Sequence, residues 1–103
     1  MGDSRYERLT DDEAAAQAPE PWTVVDGELT ATFETGSMVK GLEFVTAVVD
    51  AAESANHHPD IDFTYPRVRL SVSTHEVRQL TDADVALARA VSAIADDLLQ
   101  NSR

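Results

Sequence analysis

The sequence predicts an α+β domain, a four-stranded antiparallel sheet with helices packed on one face. Two observations carry this. Residues 22–33 and 63–73 each read as a pair of short strands around turn residues, and the stretches between and after them carry apolar residues at helical three-and-four spacing. A chain of 103 residues has material for one domain and one core. Residues 1–8 are polar and expected to be flexible, residues 9–99 form the domain, and residues 100–103 are a C-terminal tail.

Thr10 followed by Asp11, Asp12 and Glu13 is a capping-box pattern that opens a short helix to about Gln17, where Pro19 and Pro21 end it. Residues 22–25 and 29–33 then form a hairpin, because Asp26 and Gly27 tolerate the positive φ angles of a two-residue turn. Met38, Leu42, Val45, Val49 and Ala52, with Phe44 and Val48 alongside, predict a long amphipathic helix to about Ala55. A second hairpin over 63–65 and 67–73 bends at Pro66, with Val68, Leu70 and Val72 on one face and Arg67, Arg69 and Ser71 on the other. Thr81 caps the last helix, Leu80 is placed to staple onto Val85, and Val85, Ala88, Val91, Ile94, Ala95 and Leu98 form its buried stripe.

The formal net charge of −11 argues against nucleic-acid binding, which proceeds through Lys and Arg on phosphates. No apolar run reaches the roughly 18 residues needed to span a bilayer, and the start Met1, Gly2, Asp3, Ser4 lacks the apolar core of a signal peptide. The chain has no cysteine, which fits a reducing compartment. A cytoplasmic protein with no membrane or nucleic-acid partner is expected.

The three histidines of the chain, His57, His58 and His75, fall in one short span, together with Glu53, Asn56, Pro59, Tyr65, Ser73, Thr74, Glu76 and Asp84. Imidazole gives and takes protons near neutral pH, so the cluster points to acid–base chemistry. Glu53 lies one helical turn before His57. Neighbouring side chains in the loop after a helix point apart, so one of His57 and His58 can face a ligand while the other supports it. Asp84 also has a structural reading, as the third helical residue of a capping box.

An acidic residue, three positions, His-His-Pro, an aromatic, a histidine at a strand end and a later aspartate is a pattern that resembles the pterin-4a-carbinolamine dehydratases. Glu53, His57, His58, Pro59, Tyr65, His75 and Asp84 meet it with the family's spacing, and the similarity runs from about Leu9 to Leu98. The resemblance implies the same fold, association as a homodimer or homotetramer, a small-molecule pterin substrate, and no cofactor or metal. It implies dehydration of a 4a-hydroxytetrahydropterin to the quinonoid dihydropterin, with His57 and His75 as acid and base in either order and His58 chiefly holding the substrate. Residues 56–58 and 73–76 would line the pocket, with Glu53 and Asp84 orienting imidazoles.

A zinc site built from the histidines and a carboxylate is the competing chemical reading, disfavoured because adjacent histidines rarely chelate one ion. The competing functional class is a non-catalytic module that keeps the fold for protein binding or assembly. The chain also departs from the family pattern. Asp60, Ile61 and Asp62 stand where many members carry an aromatic, which implies an aliphatic pocket rim. Glu76, Val77, Arg78 and Gln79 stand where an aspartate and two glycines are usual, which implies a restricted turn with a cation near the pocket.

Overall fold

The computed structural model describes residues 6–99. Its elements run α1 (Asp11–Gln17), β1 (Thr23–Val25), β2 (Glu28–Glu34), α2 (Met38–Ala55), β3 (Asp60–Thr64), β4 (Arg67–Val72) and α3 (Asp82–Leu98). The four strands form one sheet in the order β1-β2-β4-β3, with every neighbouring pair antiparallel. Two hairpins are thus joined through β2 and β4, and α2 is the connection that carries the chain from one to the other. The predicted α+β architecture is the observed one.

Local chemistry fixes the elements in turn. The Thr10 hydroxyl accepts from Glu13 N–H while the Glu13 carboxylate accepts from Thr10 N–H, and α1 ends at Ala18, before Pro19. Asp26 and Gly27 both take positive φ, 52° and 78°, so β1 and β2 meet in the tight turn that the strand twist favours. Leu29, Ala31 and Phe33 of β2 and Val68, Leu70 and Val72 of β4 face the helices and are buried. The opposite face pairs charges across the strands. Arg69 lies between Thr32 and Asp62 in register, and Arg67 Nε donates to Glu34 Oε2 at 3.0 Å.

Two expectations are corrected. The first strand of the second hairpin begins at Asp60 rather than residue 63, with Ile61 and Phe63 half-buried inward and Asp60 and Asp62 outward. Two aspartates in three positions disguise a strand because they are poor strand formers. In α2 the stripe that packs on the sheet is Gly41, Phe44, Val48 and Ala52, whereas Met38, Leu42 and Val49 of the apolar pattern that predicts the helix are 49%, 58% and 43% exposed. The helix carries two adjoining apolar stripes, and one sheet face covers only one of them. Gly41 belongs to the covered stripe for want of space: a Cβ there would lie 2.7 Å from Phe63 Cε1.

Helix α3 starts at the predicted cap. Thr81 and Asp84 form a capping box, Leu80 and Val85 are both buried, and the inward face holds Val85, Leu87, Ala88, Val91 and Ala95. Ile94 and Leu98 of the expected stripe are half-buried at its margin. Trp22 seals the other end of the core, with its ring edge-on to Phe33 and its Nε1–H donating to Ser92 Oγ at 3.1 Å. Among the described residues, no buried side-chain polar atom lacks a hydrogen-bond partner.

Candidate active site

The end of α2 aims the first histidine. Asn56 takes a left-handed conformation (φ 50°, ψ 45°), its N–H donates to the Glu53 carbonyl and the His57 N–H donates to the Ala52 carbonyl. This is the paired closure of a Schellman motif, which asparagine can adopt at modest steric cost. It turns the chain back over the helix end, so His57 points inward and is 6% exposed. His58 points out, with Nε2 2.8 Å from Glu53 Oε2 in a solvent-facing pair. The two adjacent histidines therefore have different environments, as expected of neighbours in a loop.

His57 Nε2 lies 2.6 Å from Asp84 Oδ1. Asp84 is fully buried, and its other oxygen, Oδ2, accepts from the Thr74 hydroxyl at 2.7 Å and from Thr81 N–H at 2.9 Å. Thr74 and Thr81 hydroxyls lie 2.7 Å apart, and Thr81 Oγ also accepts from Ala83 N–H. The proton positions follow from this arrangement. Thr74 gives its hydroxyl proton to the carboxylate, so Thr81 donates to Thr74 Oγ. Asp84, ionised, only accepts, so His57 Nε2 carries a proton and Nδ1 is the nitrogen that titrates.

One Asp84 oxygen serves the helix cap and the other meets the His57 imidazole. The hydrogen bond that His57 donates to Asp84 raises the His57 pKa above its ordinary 6.5; burial opposes this, and the charges of Asp84 and Glu76 add to the rise.

Thr74 was expected to line the pocket and Asp84 to orient the imidazoles beside it. Both are fully enclosed, with their polar atoms committed to His57, to each other and to Thr81. His75 was expected at a strand end, but β4 stops at Val72. His75 is exposed in the turn 75–78, closed by the Thr74–Gln79 bridge. Glu76 is exposed beside it, Ser73 and Pro59 are half-buried, and Tyr65 is 66% exposed at the tip of the second hairpin. Thr74 thus connects the turn bearing His75 to the carboxylate that holds His57.

Arg78 was expected to restrict that turn, yet it adopts φ +56°, the conformation a glycine would permit, and Gln79 reaches back to donate to the Leu9 carbonyl at 3.0 Å. Two contributors escaped the sequence reading. Thr81 was seen only as a cap, and Tyr6, whose ring centroid lies 6.3 Å from that of His57, sits in a segment with no apolar periodicity. Among the described residues, no three metal-ligating side chains converge.

A profile of the family described as pterin 4 alpha carbinolamine dehydratase matches residues 7–94. The chain belongs to the pterin carbinolamine dehydratase family. A protein of Chloroflexus aurantiacus, provisionally named a pterin-4-alpha-carbinolamine dehydratase, is 43% identical over 90 residues, 84% of this chain and 96% of its own length. One from Herpetosiphon aurantiacus, with the same provisional name, is 42% identical over 73 residues, covering 71% and 76% of the two chains. Among solved structures, a transcriptional coactivator/pterin dehydratase from Brucella melitensis superposes with a TM-score of 0.79 at 31% identity, over 86% of this dehydratase-family chain and 99% of that one. A pterin dehydratase-like protein described as a RuBisCO assembly factor of the alpha-carboxysome superposes at 0.60 with 24% identity, over 72% and 86%, and shares the fold.

The raised His57 pKa makes a prediction about stability. Its contribution is fully present below about pH 6.5 and is lost as pH rises through the folded-state value. Urea denaturation of the wild type and His57→Gln should show the largest difference in unfolding free energy at about pH 6, narrowing as the pH rises above it. A difference that widens with pH would refute the assignment of His57 and Asp84 as an ion pair.

Proposed function

We propose that the protein dehydrates a 4a-hydroxytetrahydropterin to the quinonoid dihydropterin and water, which returns an oxidised pterin for reuse. The observation that carries this reading is the buried His57–Asp84 pair joined through Thr74 to the turn that holds His75. An imidazole kept protonated by a carboxylate suits the general acid, which supports His57 as the acid and His75 as the base. His57 Nδ1 gives its proton to the leaving 4a-hydroxyl as the C–O bond breaks. His75, exposed and among the described residues without such a carboxylate partner, removes the proton from the ring nitrogen, and the released electron pair forms the new C=N bond. The two transfers balance, with one water leaving and one proton passing from ring to His75.

His58, paired with Glu53 at the surface, holds the substrate rather than reacting. Asp84, out of reach of any ligand, is a positioning residue that fixes the His57 ring and its tautomer. Asn56 acts through the backbone turn that presents both histidines.

A homo-oligomer fits the uncovered side of α2. Met38, Leu42, Val45 and Val49 recur at intervals of four, three and four, the spacing of a helix–helix seam, and three of the four are exposed. Beside them a shallow groove of about 580 Å³ is lined by Leu42, Thr46, Ala47 and Leu98, with Glu43 and Asp50 at its edge. No helix of the described residues is long and apolar enough to cross a membrane, so that stripe is not a membrane span. A second copy presenting the same stripe would cover it.

The activity is tested by following freshly generated 4a-hydroxytetrahydropterin in the ultraviolet. The wild type should accelerate its decay, and His57→Ala and His75→Ala should each lose about 10²- to 10⁴-fold of that acceleration. A wild type no faster than the uncatalysed reaction would assign the chain to the non-catalytic, protein-binding class. Sedimentation should give a dimer or tetramer for the wild type and a monomer for Leu42→Glu; a monomeric wild type at micromolar concentration rules the oligomer out.

A further inference from the structure

The segment leading into the domain is fastened along the start of α3. Leu9 N–H donates to the Leu80 carbonyl at 2.9 Å, and Asp82 N–H donates to the Glu7 carbonyl at 3.0 Å. Glu7 N–H donates to Asp82 Oδ1 at 2.9 Å, Gln79 Nε2 donates to the Leu9 carbonyl at 3.0 Å, and Arg8 sits opposite Thr81 in an antiparallel bridge. Residues 6–8, expected to be flexible, are therefore pinned, while residues 1–5 lie outside the described residues.

This pinning places Tyr6. Its ring lies 6.3 Å from the His57 imidazole, centroid to centroid, at an interplanar angle of 44°. Its hydroxyl donates to Glu76 Oε2 at 3.4 Å. Glu76 adjoins His75, so one side chain touches the imidazole after α2 and the residue beside the imidazole after β4. We propose that Tyr6 is a positioning residue of the active site, which ties the His75 turn to His57 and holds the Glu76 carboxylate toward the His57 ring.

The physical reason is orientation. An exposed glutamate samples several rotamers at little cost, and its charge acts on a neighbour only as strongly as its mean distance and screening allow. A hydrogen bond from a half-buried phenol narrows that sampling. The charged groups acting on His57 are Asp84 from α3, the larger, and Glu76 from the turn; the ring of Tyr6 packs from the N-terminal segment. Glu76 favours the protonated imidazole, and Tyr6 determines how consistently it does so.

The proposal rests on the dehydratase reading only for what His57 does with its proton. The test needs no substrate. The imidazole signals of three histidines are assigned by single His→Gln variants and titrated by NMR in the full chain. Tyr6→Phe keeps the ring and removes the hydroxyl, and should shift the His57 midpoint downward. Glu76→Gln should lower it as well, and the double variant should go no lower than Glu76→Gln alone. An unchanged midpoint in Tyr6→Phe, or two shifts that add in the double variant, overturns the proposal. A tyrosine that merely fastened the terminus would lower unfolding stability and leave the midpoint where it was. If the protein proves inactive on the pterin while these shifts appear, the dehydratase reading fails and the role of Tyr6 stands.

Discussion

A single carboxylate, that of Asp84, lies where three parts of the fold converge. It receives the ring of His57 from the end of α2, the hydroxyl of Thr74 from the segment after β4, and the N–H of Thr81 at the start of α3. An isolated carboxylate at zero exposure would be driven to neutralise, since the cost of leaving water is several kcal/mol in real proteins. Here one cationic partner and two neutral donors satisfy it. Removing any one of the three leaves a buried charge short of a partner, so the ends of α2 and β4 and the beginning of α3 are coupled through one group. The His57 imidazole is consequently fixed by the same contacts that join these elements.

The same coupling explains the asymmetry of the two adjacent histidines. His57 is placed by a backbone motif at a helix terminus and locked by a buried acceptor, whereas His58 shares a solvent-facing contact with Glu53 that is worth little energetically. One ring is held in fixed geometry, and the other keeps room to change rotamer. His75, on a turn whose neighbour Thr74 contacts Asp84, is located indirectly by the same carboxylate.

Much of this could be read from residue types and spacing, and the exceptions are instructive. The caps at Thr10 and Thr81, the turn at Asp26 and Gly27 and the alternation in β4 depend on neighbours close in the chain, so they appear in the sequence as patterns. The stripe that α2 buries depends on which side the sheet approaches, and two apolar stripes left that undecided until Phe44 and Val48 were found inside and Leu42 outside. The inward and outward halves of the His57, His58 pair followed from geometry that any loop imposes, but which was which depended on Asn56 adopting φ 50°. Tyr6 and Thr81 join the site through contacts 51 and 24 residues away from His57 in sequence, and no local pattern encodes such a meeting. Arg78 shows the opposite limit: a residue type that disfavours a conformation still adopts it where the flanking bridge from Thr74 to Gln79 closes the turn.

The hold of Asp84 on His57 is tested most directly by NMR titration of the His57 ring in Asp84→Asn, because asparagine retains the shape and can still accept from Thr81 while the charge is gone. The midpoint should fall below that of the wild type, since the main cause raising it is removed and burial, which lowers it, remains. A midpoint equal to the wild type in the folded variant would mean that the carboxylate does not govern the imidazole.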